Sequence, residues 1–248
     1  MKVYGLIGYP LEHAYSPKYF AEKFIKLGIS DAKYELIPLS DISKINNIVQ
    51  TRKNLVGFNV TTPYKEVIIP YLQELDDIIY KLGTVNTVKI LRNGNNYILK
   101  GYNTDIFGLE KTFNLLDLPK NTKALILGSG GSGKTCAYVL NQMGIDYTHV
   151  SRNPKSLKIL SYDKLTEGII HQHNLIINAS PVGMYPKVNN YPQIPYDYIT
   201  RNHICFDLVY NPEETIFLKK AKQKGAKTIN GFTMLYEQAD KAWEIWNN

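Results

Sequence analysis

A chain of 248 residues, 44% hydrophobic and 21% charged, with 17 Gly and 12 Pro, has ordinary globular composition, which excludes fibrous, disordered and disulfide-scaffold classes. It is long enough for one large domain or two ordinary ones, no run approaches the roughly 18–20 apolar residues of a membrane span, and Met1-Lys2 leads straight into strand-like Val3–Ile7, so a cytoplasmic protein is expected. The net charge of +7 comes from scattered lysines whose densest run, Lys219, Lys220, Lys222 and Lys224, reads as a solvated helix face and not as a nucleic-acid surface.

In chain order, Val3–Ile7, Tyr34–Ile37, Val56–Val60, Thr87–Leu91, Ala124–Leu127, Tyr147–Val150, Leu175–Asn178 and Ile204–Val209 read as strands alternating with helical patterns. Such alternation predicts an α/β fold with a mainly parallel sheet. Ser16-Pro17 opens the first helix as an N-cap and N1 pair, and Pro63 starts another that carries Lys65. The turn Arg92-Asn93-Gly94-Asn95 makes a hairpin with Tyr97–Leu99 and closes a first domain, residues 1–101. After the helix-like Ile106–Leu116, a second domain, 102–232, is built on a new strand–glycine–helix unit beginning at Lys123. In the tail, 233–248, Leu235, Ala239, Ala242 and Trp246 recur at helical spacing, so an amphipathic helix should pack back on the body. Cys136 and Cys205 stand far apart without metal-ligand companions and read as small buried hydrophobes, with no metal site.

Gly128-Ser129-Gly130-Gly131-Ser132-Gly133 follows the strand Ala124–Leu127 and precedes a helix over Lys134–Met143, matching the dinucleotide pattern GxGxxG. Gly128 to Thr135 also satisfies the P-loop pattern GxxxxGK[ST]. Both patterns exist because glycines let backbone N–H groups and a helix N-terminus approach phosphate oxygens. The end of the next strand separates them. A dinucleotide fold reads its ribose there, and an acidic residue would suit the bare ribose of NAD; here the chain has Ser151-Arg152-Asn153-Pro154-Lys155, a cationic fork suited to the 2′-phosphate of NADP. A P-loop enzyme would want a magnesium-binding aspartate at a strand end, for which Asp207 is the candidate.

Further polar clusters stand at Asn59-Val60-Thr61-Thr62-Pro63-Tyr64-Lys65-Glu66, at a strand end, and at Asn103-Thr104-Asp105, just ahead of a helix. Strand ends are where open α/β sheets place ligands. With Gly5-Leu6-Ile7-Gly8, His13, Ser16-Pro17, Gly83-Thr84-Val85-Asn86-Thr87, Asn178-Ala179-Ser180-Pro181-Val182-Gly183-Met184, Asp207-Leu208-Val209-Tyr210-Asn211-Pro212, Asn230-Gly231, Met234-Leu235 and Gln238-Ala239, these segments make the chain resemble the shikimate dehydrogenase family over nearly its whole length.

The resemblance implies an N-terminal α/β substrate domain, a Rossmann-like NADP-binding domain, and a C-terminal helix returning to the first. It implies reversible NADPH-dependent reduction of 3-dehydroshikimate to shikimate, a step of aromatic amino-acid biosynthesis, with the ligand held between the domains. Lys65 would be the acid–base group and Asp105 its carboxylate partner. Ser16, Asn59, Thr61, Asn86, Tyr210 and Gln238 would hold the substrate's hydroxyls and carboxylate. Gly128, Ser129, Gly130, Gly131 and Ser132 would face the pyrophosphate, and Ser151, Arg152 and Lys155 the adenosine phosphate. Ser180, Leu208, Gly231 and Met234 would line the nicotinamide side, with Asp77 also near the cofactor. The family usually writes His-Ser-x-Ser-Pro where this chain has His13-Ala14-Tyr15-Ser16-Pro17, so one hydrogen bond to the substrate carboxylate is missing, worth about 1.5–3 kcal/mol unless Tyr15 or a water replaces it. Three rivals are a quinate/shikimate paralogue using NAD or NADP, a P-loop NTPase or kinase, and a catalytically silent binding module. The expected partners are a small-molecule substrate and no nucleic acid or membrane, for a monomer or homodimer.

Overall fold

Runs of β-branched and aromatic residues, interrupted by helical periods, fold into two six-stranded sheets. The computed structural model describes residues 1–12, 14–154 and 156–248; His13 and Lys155, both named above, lie outside the described residues. The chain separates into two units, residues 1–104 with 238–248 and residues 105–237.

The first unit contains β1 (Lys2–Gly8), α1 (Ser16–Lys26), β2 (Ala32–Pro38), α2 (Ile45–Thr51), β3 (Leu55–Val60), β4 (Glu74–Leu75), α3 (Asp77–Leu82), β5 (Thr87–Asn93) and β6 (Asn96–Tyr102). Its sheet runs β2-β1-β3-β5-β6-β4. β1 pairs parallel with β2 and β3, but β5 is antiparallel to both β3 and β6. The first sheet is therefore mixed: β5 and β6 are joined by the two-residue turn Gly94-Asn95, and a hairpin partner must run antiparallel.

Successive residues of β1 serve opposite faces, as a pleated strand requires. Val3 and Ile7 enter a cluster with Phe58, Val88, Leu99 and the α2 residues Ile45 and Val49. Tyr4 enters another with Phe20 and Phe24 of α1. With both faces covered, every β1 residue after Lys2 is buried.

The second unit contains α4 (Asp105–Asn114), β7 (Lys123–Leu127), α5 (Gly131–Gln142), β8 (Asp146–Val150), β9 (Ile159–Leu160), α6 (Glu167–Gln172), β10 (Leu175–Asn178), β11 (Ile204–Asp207), α7 (Ile216–Gln223) and β12 (Lys227–Ile229), followed by α8 (Phe232–Asn247), whose first turns belong here. Its sheet, β12-β11-β10-β7-β8-β9, is parallel throughout. Ala124 and Ile126 of β7 pack with Leu109 and Phe113 of α4 and Val139 and Leu140 of α5. Leu125 and Leu127 face the other way, onto Ile170 of α6 and Phe217 and Leu218 of α7. This is a doubly wound sheet. Its strand order reverses between β7 and β10, the switch point where such sheets open to a ligand at the strands' carboxyl ends.

Several local expectations need correction. Pro63 starts no helix: residues 62–68 form turns, and the Lys65 carbonyl accepts the Val85 amide at 2.7 Å, so it is spent on a tertiary bond and not on a helical one. The N-cap of α1 is Tyr15, with Ser16 already inside the first turn. Helix α5 begins at Gly131, three residues before the expected Lys134, which shortens the glycine loop. β4, β9 and β12 went unread, since runs of two or three residues carry no period.

The tail helix follows its period only in part. Ala239, Ala242 and Trp246 enter the cluster around Tyr4, Phe20 and Phe24, and the Trp246 indole donates to the Val88 carbonyl at 3.0 Å. Leu235, assigned to the same face, is half-buried and falls with 105–237, where Met234 joins the α4–α5 cluster. A 16-residue helix runs about 24 Å, long enough for its two ends to join different cores. Trp246→Ala should lower stability by about 3–5 kcal/mol, measured by urea denaturation, because a large buried side chain and its hydrogen bond are lost together.

Candidate active site

In the first unit the buried amide of Asn86 is a hub. Its Oδ1 accepts the Thr104 backbone N–H at 2.7 Å and the Thr87 hydroxyl at 3.1 Å, while its Nδ2 donates to Thr104 Oγ1 at 3.0 Å and to Gln238 Oε1 at 3.4 Å. Asn59 stands behind it. Its Nδ2 donates to Thr87 Oγ1 at 3.0 Å and to the Asn86 carbonyl at 3.3 Å, and its Oδ1 accepts the Tyr34 hydroxyl at 2.7 Å. Tyr34 in turn stacks on Phe20 of α1 with ring centroids 4.3 Å apart. Three predicted residues, Asn59, Asn86 and Gln238, thus join one polar cluster, together with Tyr34, Thr87 and Thr104. Thr87 and Thr104 lay inside segments singled out by sequence; nothing in the sequence marked Tyr34, which reaches Asn59 only because β1 lies between β2 and β3.

The other polar residues of this unit flank that cluster along the chain. Thr61 follows β3 directly, and its N–H donates to the Ile7 carbonyl at 2.9 Å. Lys65 is half-buried in the turn pinned by Val85. Ser16, also half-buried, has no hydrogen-bond partner for its hydroxyl among the described residues, since the cap position has passed to Tyr15. Asp77 is exposed in the first turn of α3, where a carboxylate complements the helix dipole. Asn103 anchors the segment ahead of α4 by donating to the Thr84 carbonyl and hydroxyl at 3.1 and 2.9 Å.

In the second unit Asp105 is buried at the first position of α4. The half-buried Tyr210 lies beside Phe232, ring centroids 5.9 Å apart.

The glycine loop connects β7 to α5 through Gly128-Ser129-Gly130. Gly128 has φ +125°, which a side chain rarely tolerates, and a Cβ there would sit 3.1 Å from the Ala179 carbonyl oxygen. At Gly133 a Cβ would come within 2.3 Å of the Gly128 carbonyl oxygen, so the loop and the first turn of α5 pack backbone to backbone. Gly130, the N-cap of α5, offers no side-chain cap and has open space where its Cβ would point. N–H donors at a helix start with no side-chain cap fit a phosphate group. Below the loop, His149 Nδ1 lies 3.2 Å from the Gly128 carbonyl, and burial pushes its imidazole below the ordinary histidine range, against the opposing pull of that carbonyl.

The end of β8 meets the loop: Ser129 Oγ donates to Ser151 Oγ at 3.1 Å, and the Gly128 N–H donates to the Val150 carbonyl at 2.8 Å. Arg152 is exposed; burial pushes the Tyr162 hydroxyl above its ordinary range, and the Arg152 guanidinium only partly opposes that push. Leu208 and Gly231 are in backbone contact, a Cβ on Gly231 falling 2.2 Å from the Leu208 carbonyl oxygen, and Leu208 packs on the cluster that holds Met234.

The P-loop alternative requires Thr135 and Asp207 to reach a magnesium ion. Thr135 is fully buried and donates its hydroxyl to the Gly131 carbonyl at 3.0 Å. Asp207 is fully buried, and its carboxylate is occupied by Asn178 Nδ2 at 2.9 Å, the Val209 N–H at 3.0 Å and the Thr215 hydroxyl at 2.6 Å. Burial still outweighs those three donors and pushes the carboxyl up to about 7. Neither residue is placed for nucleoside-triphosphate chemistry.

A doubly wound parallel sheet carrying this loop defines a dinucleotide-binding unit. Residues 6–88 match the family model for the shikimate dehydrogenase substrate binding domain. A shikimate dehydrogenase (NADP(+)) of Methanococcus vannielii is 38% identical over 98% of this chain and 90% of its own length. Among solved structures, shikimate dehydrogenase 1 from Peptoclostridium difficile has TM-score 0.87 at 37% identity, covering 100% of this chain and 92% of its own. Shikimate 5-dehydrogenase from Thermus thermophilus, in complex with NADP(H) and shikimate, has TM-score 0.85 at 28% identity, covering 99% of this chain and 93% of its own. The chain belongs to the shikimate dehydrogenase family. Its second unit is the part whose backbone packing at the glycine loop is most sharply constrained, so Gly133→Ala should weaken NADP⁺ binding at least tenfold by titration calorimetry and lower the melting temperature, the added methyl forcing Gly128 out of place.

Proposed function

We propose that this protein catalyses the reversible, NADPH-dependent reduction of 3-dehydroshikimate to shikimate. The observation carrying this reading is that the resemblance spans both units at once: the substrate-binding-domain model covers 6–88, and relatives named NADP-dependent shikimate dehydrogenases cover 98–99% of the chain. The first unit, 1–104 with 238–248, is the substrate unit, and 105–237 is the NADP unit.

NADPH supplies the hydride, and the chain's own residues supply binding, orientation and the proton. Lys65 gives a proton to the developing alkoxide in the reductive direction and takes it back in the oxidative one, and Asp105 completes the acid–base pair. Asn86, Thr61 and Gln238 take the substrate hydroxyls, Asn86 by giving up its longest bond, 3.4 Å to Gln238. An amide such as Asn86, already held by Thr104 and Thr87, loses little further rotational freedom when it binds, and Asn59 keeps it so. Ser16 takes the carboxylate, with Ala14 leaving that grip one hydroxyl short, and Tyr210 adds a phenolic hydroxyl. Gly128 to Ser132 hold the pyrophosphate, Ser151 and Arg152 the 2′-phosphate, and Ser180, Leu208, Gly231 and Met234 the nicotinamide side.

The reaction is tested by following nicotinamide absorbance with shikimate or quinate against NADP⁺ or NAD⁺; turnover with shikimate and NADP⁺ is expected, and turnover confined to quinate would favour the paralogue reading. Lys65→Ala should cut kcat by about 10²-fold or more while moving the shikimate KM little. A change confined to KM would make Lys65 a binding residue. Arg152→Ala should lower the ratio of kcat/KM for NADP⁺ over NAD⁺ about tenfold or more, since a charge-assisted fork to the 2′-phosphate is removed and nothing that NAD⁺ uses is lost.

A further inference from the structure

At the carboxyl ends of β10 and β11 lies a chain of buried hydrogen bonds that no assigned role explains. Asn178, fully buried, has every polar valence of its side chain engaged. Its Nδ2 donates to Asp207 Oδ1 at 2.9 Å and to the Val182 carbonyl at 3.1 Å, and its Oδ1 accepts the Ser180 N–H at 3.2 Å and the Ser180 hydroxyl at 2.7 Å. Ser180 Oγ accepts the Val182 N–H at 3.3 Å. The polarity of the chain is set at Asn178: Asp207 Oδ1, which also takes the Val209 N–H, and the Val182 carbonyl accept from its NH₂, the Ser180 N–H donates to its oxygen, and the Ser180 hydroxyl spends its hydrogen on that same oxygen. Ser180, half-buried, is left with a lone pair and no hydrogen to offer a ligand.

The same carboxylate orders its surroundings on two other sides. It accepts the Val209 N–H at 3.0 Å, which fixes the turn carrying Leu208, and the Thr215 hydroxyl at 2.6 Å, while Thr215 caps α7 by accepting the Leu218 N–H. A buried ionisable group with no cationic partner is costly, and these three donors offset only part of that cost, since burial still holds the carboxyl up at about 7.

We propose that Asp207 is a positioning residue for the nicotinamide end of the cofactor, acting through Asn178 to hold the Ser180 hydroxyl as an acceptor for a ligand N–H, the chemistry a carboxamide group offers. This rests on the reading that Ser180 lines the nicotinamide side. The relay lies within the second unit and involves no residue assigned to proton transfer.

The test compares equilibrium binding of NADP⁺ with that of 2′,5′-ADP, which shares the adenosine phosphates and lacks the nicotinamide. Asp207→Asn keeps the shape and removes the charge, and should weaken NADP⁺ about fivefold while 2′,5′-ADP stays within about twofold. Asn178→Ala cuts the relay one step nearer Ser180, leaves Asp207 its bonds to Val209 and Thr215, and serves if Asp207→Asn does not fold; a selective loss of about tenfold is expected. Ser180→Ala reports on the underlying reading and should show the same selectivity. If Ser180→Ala is selective and the other two variants are not, the relay is overturned and the placement of Ser180 stands. If none is selective, that placement fails and the relay with it. Equal weakening of both ligands by Asp207→Asn or Asn178→Ala would make the network a purely structural support and overturn the proposal.

Discussion

The buried amide of Asn86 closes the first unit, and the placing of its polar residues depends on it. It gathers Thr87 from its own strand, Thr104 from 18 residues downstream and Gln238 from 152 residues downstream. A side-chain amide, with two acceptor directions and two donors, can bind three segments at once, and burial makes each bond expensive to leave unmade. Removing any one partner would strand a polar atom away from water, so the cluster is held as a set.

The second unit solves a different problem with backbone. The loop after β7 is shaped by deleting side chains: Gly128 takes a conformation closed to other residues, and Gly133 lets the first turn of α5 lie against the Gly128 carbonyl. Where side chains do act, at Asn178, Asp207 and Thr215, they are fully buried and saturated, and they tie the ends of β10 and β11 to the start of α7. The two units are therefore built by opposite means, a closed cluster of amides and hydroxyls in one and backbone packed without side chains at the glycine loop in the other.

Much of this was legible in the chain, because the signals were local. The strand cores, the Gly94-Asn95 hairpin, the glycine loop and the basic residue after β8 each depend on residues close in sequence, and the polar segments ending in Lys65, Thr87 and Asp105 stood out as clusters. What was misread shares one cause, competition from distant partners. Pro63 looked like a helix start until Val85 took the Lys65 carbonyl, and the period of α8 placed Leu235 on one face without showing that Met234 answers to another core. Tyr34 carried no signal at all, since its hydroxyl matters only once β1 has paired with both β2 and β3.

By itself, then, the sequence determined the class of fold, the glycine loop and the family to which the chain belongs, for these rest on spacing and on backbone freedom encoded residue by residue. Only the tertiary structure decided which polar side chains answer one another: that Asn59 supports Asn86, that Asp207 sits at the end of a relay to Ser180, and that α8 divides its length between two cores. The reason is geometric, since hydrogen bonds act over about 3 Å and the chain brings such partners that close only by folding strands and helices that are remote in sequence.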